Sequence, residues 1–343
     1  MSTLTRIPPS MLAAIFVLAS QLEAQAAHPV AKQLTVAPIR QAHTLQVTST
    51  RVLTTRAFGF TGPLLSDDNG NLYFAEDSGV FKLSQLKESS SKMIQTRPDK
   101  SGADDSGLDA LIDYAVTPSG TLFMLAQDAK QQLHIFSFDS DGNEKHDTKL
   151  EIPENVLIVD FAVFDNETIL VTGFYSRNAP EALRGKSYAA IFDQSGQWLK
   201  DMTRRISVDA VSSDSDGPLT YVYMRPGKDG NLYLLKPSAV LVISPGGEIV
   251  RRIKFVKPDP SLEAIGLNIA DGVVLIELGD KPAPGTHRNP KYLVLDTATG
   301  KKYGFYAQPS EVKGRLASFS REEGFLFVSD EKGTLKLVSA KMN

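Results

Sequence analysis

Two five-residue stretches, Ile112-Asp113-Tyr114-Ala115-Val116 and Val159-Asp160-Phe161-Ala162-Val163, are nearly interchangeable, and each carries one carboxylate among apolar neighbours. An ionised carboxylate in such surroundings is costly unless it meets water, a cation or a hydrogen-bond donor. Two of them side by side could divide acid and base roles, or hold a divalent ion. Each is equally suited to a water-filled channel or to a neighbouring backbone N–H, so both readings stand. Aligning a third stretch in the same register places Tyr223 in the column of Asp113 and Asp160, and these three are the candidate ligand-binding residues of a channel.

Other chemistries are thinly supported. The five histidines (His28, His43, His134, His146, His287) are scattered, with no His-x-His or His-Glu-x-x-His spacing, so no metal site is assigned. His134 alternates with Phe136 and Phe138 and reads as a half-buried packing residue. The turns Asp139-Ser140-Asp141-Gly142-Asn143 and Asp214-Ser215-Asp216-Gly217 cluster oxygen ligands of the kind Ca2+ takes, but Asp and Gly are also what a hairpin turn needs. No cofactor is expected; were a cation held, calcium is the one these turns suit. There is no cysteine, which removes thiol nucleophiles, thiolate metal sites and disulfides together, and no Gly-x-Ser-x-Gly. Trp198, the one tryptophan, reads as packing at the start of an outer strand.

The elements that position these residues are announced by one repeated phrase. A polar turn followed by an apolar strand occurs at Asn69-Gly70-Asn71-Leu72-Tyr73, Ser119-Gly120-Thr121-Leu122-Phe123, Asn166-Glu167-Thr168-Ile169-Leu170, Asp229-Gly230-Asn231-Leu232-Tyr233, Asp271-Gly272-Val273-Val274-Leu275 and Glu323-Gly324-Phe325-Leu326-Phe327. The copies recur at intervals of roughly 42 to 63 residues, the length of a propeller blade with loop insertions. Each interval holds four short strands and almost no amphipathic-helix pattern. The fold class predicted is all-β: a six-bladed β-propeller with four-stranded blades. After Gly324 only two strands of the last blade remain, so the strand around residues 44–53 is expected to pair with that blade and close the ring.

The turn Asp-x-x-Gly-Asn-Leu-Tyr, with Ile191-Phe192-Asp193-Gln194-Ser195-Gly196 after a hairpin, resembles the NHL-repeat and gluconolactonase-like six-bladed propellers over nearly the whole chain beyond its leader. The resemblance implies a channelled disc whose functional face is built from the loops joining the second strand to the third and the fourth strand to the next blade. It also implies a range of activities, from binding scaffolds to metal-dependent lactonases and lyases. Lactonase-like members hold their cation with an Asn-Gly pair before the mid-chain turn and an acid after it. Here that stretch reads Tyr221-Val222-Tyr223-Met224-Arg225-Pro226-Gly227-Lys228-Asp229-Gly230, followed by Leu234-Leu235-Lys236.

Two loops on the implied face are long. Residues 172–187 carry Tyr175, Arg177, Arg184 and Lys186, and residues 279–291 carry Lys281, His287, Arg288 and Lys291. Tyr175, Arg177, Arg184, His287 and Arg288 are the candidate partner-binding residues, because loops on a rigid scaffold are where recognition concentrates.

Charge and composition bound the rest. With 37 Lys plus Arg against 40 Asp plus Glu the net charge is −3, and no basic stripe marks a nucleic-acid surface. The start of the chain has Arg6, an apolar run Met-Leu-Ala-Ala-Ile-Phe-Val-Leu-Ala-Ser at residues 11–20, and Ala24-Gln25-Ala26, the layout of a cleaved signal peptide. Residues 1–26 are expected to be removed between Ala26 and Ala27, with 27–43 a lead-in and 44–343 a single propeller domain. The run is too short to span a bilayer, so a secreted or periplasmic protein with no membrane span is expected. The reading is a monomeric, non-catalytic binding module for a protein or polymer. The alternative is a metal-dependent hydrolase, lactonase or lyase with a carboxylate-held divalent cation at the channel mouth.

Overall fold

The computed structural model describes residues 41–54, 61–76, 79–84, 91–95, 108–128, 132–208, 223–270, 272–280, 290–331 and 333–342. The chain up to residue 40, including the expected leader, and the positions of Asp214, Asp216, His287 and Arg288 lie outside them.

Six small sheets follow one another along the chain. The first blade is β3 (Thr61–Ser66), β4 (Asn71–Glu76), β5 (Gly79–Ser84) and β6 (Ser91–Gln95). The second is β7 (Leu108–Val116), β8 (Leu122–Asp128), β9 (Leu133–Phe138) and β10 (Glu144–Lys149), and the third is β11 (Val156–Val163), β12 (Ile169–Tyr175), β13 (Ser187–Phe192) and β14 (Trp198–Asp201). A short helix, α1 (Thr203–Val208), follows the third blade. The fourth is β15 (Met224–Pro226), β16 (Leu232–Lys236), β17 (Ala239–Ile243) and β18 (Ile249–Lys254), and the fifth is β19 (Glu263–Ala270), β20 (Val273–Gly279), β21 (Lys291–Asp296) and β22 (Lys302–Ala307). The sixth contains β23 (Gly314–Ser320), β24 (Gly324–Glu331) and β25 (Thr334–Lys341). The first strands touch in the order β3, β7, β11, β15, β19, β23 and back to β3, which makes the molecule a six-bladed β-propeller with these strands around its axis.

The turn phrase works through its aspartates. Asp67 Oδ1 accepts the backbone N–H groups of Asn69 and Asn71 at 2.9 and 2.8 Å, while Oδ2 accepts the Asn71 amide and the Tyr73 hydroxyl at 2.7 and 3.0 Å. Asp229 holds Asn231 and Tyr233 in the same way. Asp139 likewise folds its turn around Asp141 and Asn143, so this acidic turn is occupied by its own backbone. Glycine is required where the chain passes through the left-handed region, as at Gly120 (φ 90°), where a Cβ would also lie 2.7 Å from Asp67 Oδ2. The third blade has Glu167 at the corresponding point, with φ 61°.

The hydrophobic core is divided into six clusters, one between each pair of neighbouring blades. Alternating side chains on both faces of every blade feed these clusters, which is why the middle strands β16 and β17 are buried at every position. The first and last described strands meet in the last two interfaces. Strand β2 (Gln46–Thr54) pairs antiparallel with β25 at the outer edge of the sixth blade, and β1 (His43–Thr44) runs parallel to β22 on the fifth. One strand was expected over residues 44–53; the chain instead bridges two blades, burying Leu45 between the fifth and sixth and Leu53 between the sixth and first. Each leucine so buried contributes about 1.5–3 kcal/mol. No helix among the described residues is long and apolar enough to cross a membrane.

Candidate functional site

The inner strands are not smooth. In β7 the pairing with β8 skips from Leu111 to Asp113, and in β11 the pairing with β12 skips from Ile158 to Asp160, so each aspartate directly follows a bulge. A bulge adds one residue and re-aims the side chains beside it. Here it turns both carboxyls towards the next blade.

Asp113 and Asp160 meet as a hydrogen-bonded pair. Asp113 Oδ1 accepts its neighbour's backbone N–H, Tyr114, at 2.8 Å, and the same carboxylate accepts the N–H of Phe161 on the third blade. Asp160 Oδ2 accepts the N–H of Met224 on the fourth blade at 3.3 Å. Phe161 and Met224 occupy equivalent positions, so one device is used twice: an inner-strand aspartate accepts an edge N–H of the next blade. Both carboxyls keep partial access to the channel yet are densely surrounded by protein, and loss of solvation is the first cause of their raised affinity for protons. Asp160 is raised the further, by burial and then by the charge of Asp113; Arg225 opposes both shifts. Of the two, Asp160 is the carboxyl that keeps its proton to higher pH, and its hydrogen bond to Asp113 favours the charged form of Asp113.

The first and second blades are joined differently. The Tyr114 hydroxyl donates to the carbonyl of Pro63 and, at 3.2 Å, to that of Tyr73. Burial and then the Asp113 charge push its ionisation far up, so it stays neutral, although Arg225 and Arg315 pull the other way.

Tyr223 lies in the expected column, but its side chain packs against the cluster between the fourth and fifth blades. The cation beside the acid pair is Arg225, two residues on, in register with Ala115 and Ala162. Sequence reading passed over it, although an arginine where the second and third blades have alanine was a visible signal. Arg225 lines a cavity of about 70 Å3 together with Asp68, Tyr114, Lys228 and Asn268, among others. Lys228 Nζ lies 3.2 Å from Asp68 Oδ1, an ion pair between turns of the first and fourth blades, which stand opposite each other in the ring. Among the described residues no group of three His, Cys, Asp or Glu could hold a metal ion.

The loop at residues 176–186, on the other side of the ring, is built by its own backbone. Ser176 N–H donates to Asn155 O at 2.7 Å, Leu183 to Pro180 O at 2.7 Å and Gly185 to Tyr175 O at 2.9 Å, and Ala179 is fully buried. Tyr175 is half-buried, edge-on to Tyr188 with 6.0 Å between ring centroids. Arg177 and Arg184 are exposed, and Arg184 Nε donates to Ala179 O at 2.9 Å. Trp198, expected to pack, is 51% exposed on β14 beside Leu199. His134 stacks on Phe136 and bonds Asp147 at 2.8 Å, in keeping with a packing role.

No family model matches the chain and no curated protein matches it. Solved structures do at low identity. A candidate TolB from Agrobacterium tumefaciens is 12% identical, with 89% of this chain and 100% of that one covered at a TM-score of 0.48. A luciferin-regenerating enzyme is 7% identical, with 86% and 95% covered at 0.48, and a candidate gluconolactonase is 11% identical, with 87% and 98% covered at 0.46. These are likenesses of fold, and fold does not select an activity.

Proposed function

We propose that this chain is an exported, monomeric, non-catalytic binding propeller that recognises a protein or polymer through the face carrying residues 176–186. The observation that carries the reading is the occupation of the two conspicuous carboxyls: Asp113 and Asp160 accept the N–H groups of Tyr114, Phe161 and Met224 and bond each other. Groups tied into the frame in this way are poorly placed to exchange partners with a substrate. The loop supports the other half of the reading, since its backbone is fixed while Arg177 and Arg184 face solvent, an arrangement that lowers the ordering cost of binding. Export rests on the leader-like residues 1–26.

A second reading, hydrolase or lyase, is favoured by one feature: a carboxyl whose hold on its proton is raised by burial is of the kind general-acid catalysis uses. The two readings separate in one experiment. The mature protein, immobilised, is challenged with cell-envelope extract and a panel of acidic polysaccharides, as wild type and as the Arg177→Ala/Arg184→Ala double variant. Loss of capture in the variant with stability within about 0.5 kcal/mol of wild type supports the binding reading. Capture unaffected by the double substitution, or turnover in an ester, lactone and glycoside screen that disappears in Asp160→Asn, contradicts it.

A further inference from the structure

The channel cavity lies among the turns joining the first two strands of the blades, away from the 176–186 loop, and nothing in the binding reading uses it. Its wall is polar in a particular way. Arg225 is half-buried, and its one hydrogen bond among the described residues runs from Nη1 to Met224 O at 2.7 Å, so most of the five N–H donors of a guanidinium remain to serve the cavity. The side-chain amide of Asn268, also lining the cavity, has no hydrogen-bond partner among the described residues. Arg315, on the sixth blade, is near enough for its charge to act on the same Tyr114 hydroxyl as that of Arg225. The inner end is thus rich in donors.

The mouth has the opposite character. Asp68 lines it, with Oδ1 towards Lys228, and Asp165 lies close enough to Asp68 and Asp229 for their charges to help raise its carboxyl. The Asp68 carboxylate, with the charges of Asp165 and Asp229 nearby, makes that end acidic. A simple anion would meet repulsion at the mouth and from ionised Asp113 below, and a simple cation would meet Arg225 inside. A molecule carrying both charges satisfies both ends.

We propose that the channel cavity binds a small zwitterion of the free amino-acid type, its carboxylate directed to Arg225 and Asn268 and its ammonium to Asp68. A guanidinium fork matches a carboxylate in two parallel hydrogen bonds, and an amide completes the set. The size agrees, because 70 Å3 holds roughly five to seven water-sized groups, enough for glycine or alanine. The Asp68–Lys228 pair spans the mouth and opens or shares Asp68 when the ligand enters.

The test is calorimetric titration and thermal melting of the mature protein with glycine and L-alanine, with acetate and methylammonium as single-charge controls. The expected result is saturable binding of both amino acids, at least tenfold tighter than either control, and a rise in melting temperature. Asp68→Asn and Asn268→Ala should each weaken binding at least tenfold while melting near wild type, and Arg225→Gln should abolish it. Because Arg225 also faces the acid pair, a poorly folded Arg225→Gln leaves the other two variants to decide. Absence of saturable binding at millimolar amino acid, acetate binding as tightly as glycine, or unaltered affinity in Asp68→Asn and Asn268→Ala overturns the proposal. Capture by the 176–186 loop is measured separately and is independent of these outcomes.

Discussion

The same side chain behaves in opposite ways in two parts of this propeller. In the exposed turns, aspartates such as Asp139, Asp193 and Asp296 are held below their ordinary value, Asp296 the furthest, because side-chain and backbone donors converge on the charged form. On the inner strands Asp113 and Asp160 are pushed up, because burial outweighs the donors they receive. The difference teaches that a hydrogen-bonded aspartate is not one kind of object. At a turn its charge organises the backbone in water; around the axis, two hydrogen-bonded carboxyls join three blades while burial holds their protons on.

The strongest way to break the comparison is to remove an inner acceptor. Asp113→Ala leaves the N–H groups of Tyr114 and Phe161 without their acceptor and Asp160 without its partner, and at about 1–3 kcal/mol for each unsatisfied group is expected to destabilise by about 2–5 kcal/mol in chemical denaturation. Asp67→Ala, which removes the acceptor of Asn69, Asn71 and Tyr73 in a turn, should lose less, about 1–3 kcal/mol.

Asp160→Asn sharpens the comparison through pH. A carboxyl whose folded pKa is raised binds its proton more tightly in the folded chain than in the unfolded one. Stability then falls as pH rises from the unfolded value, about 3.9, through the folded value. Wild type should therefore melt higher at mildly acidic than at neutral pH in this respect, until acidification through the lowered values of Asp139, Asp193 and Asp296 removes their contribution. Asn at 160 can still donate to Asp113 and accept from Met224, so the variant should fold and lose most of the gain on mild acidification. The smallest effect is expected at Glu167, which has φ 61° where other blades place glycine: Glu167→Gly should be stabilising by up to about 1 kcal/mol, since its ion pair with Lys145, at 3.4 Å, is a surface contact.

The propeller was legible because its information is local. Asp67, Asn69, Asn71 and Tyr73 make a turn in which every hydrogen bond to the Asp67 carboxylate comes from within seven residues, and such a unit repeats recognisably. The column of Asp113 and Asp160 was legible for the same reason, since the register of each inner strand is set by its own turn. What brings Arg225 beside them is long-range: it sits on another blade, and the bulges before both aspartates, which turn the carboxyls across the interface, leave no mark in residue type. Asp68, Lys228 and Asn268 carry no mark of a shared cavity in the sequence for the same reason, because only ring closure sets the first and fourth blades face to face. Trp198 misled in the other direction: an aromatic on a strand suggests packing, but the outermost strand of a blade has no neighbour on its far side.

The central claim is that Asp160 keeps its proton to higher pH than Asp113, and carboxyl carbon NMR of aspartate-labelled protein tests it most directly. With Asp160→Asn used for assignment, the account predicts that the Asp160 carboxyl titrates well above the usual carboxylate range, later than Asp113 and far later than Asp139, Asp193 or Asp296. Titration of Asp113 and Asp160 together near 3.9, as two independent solvated carboxylates would show, would contradict it.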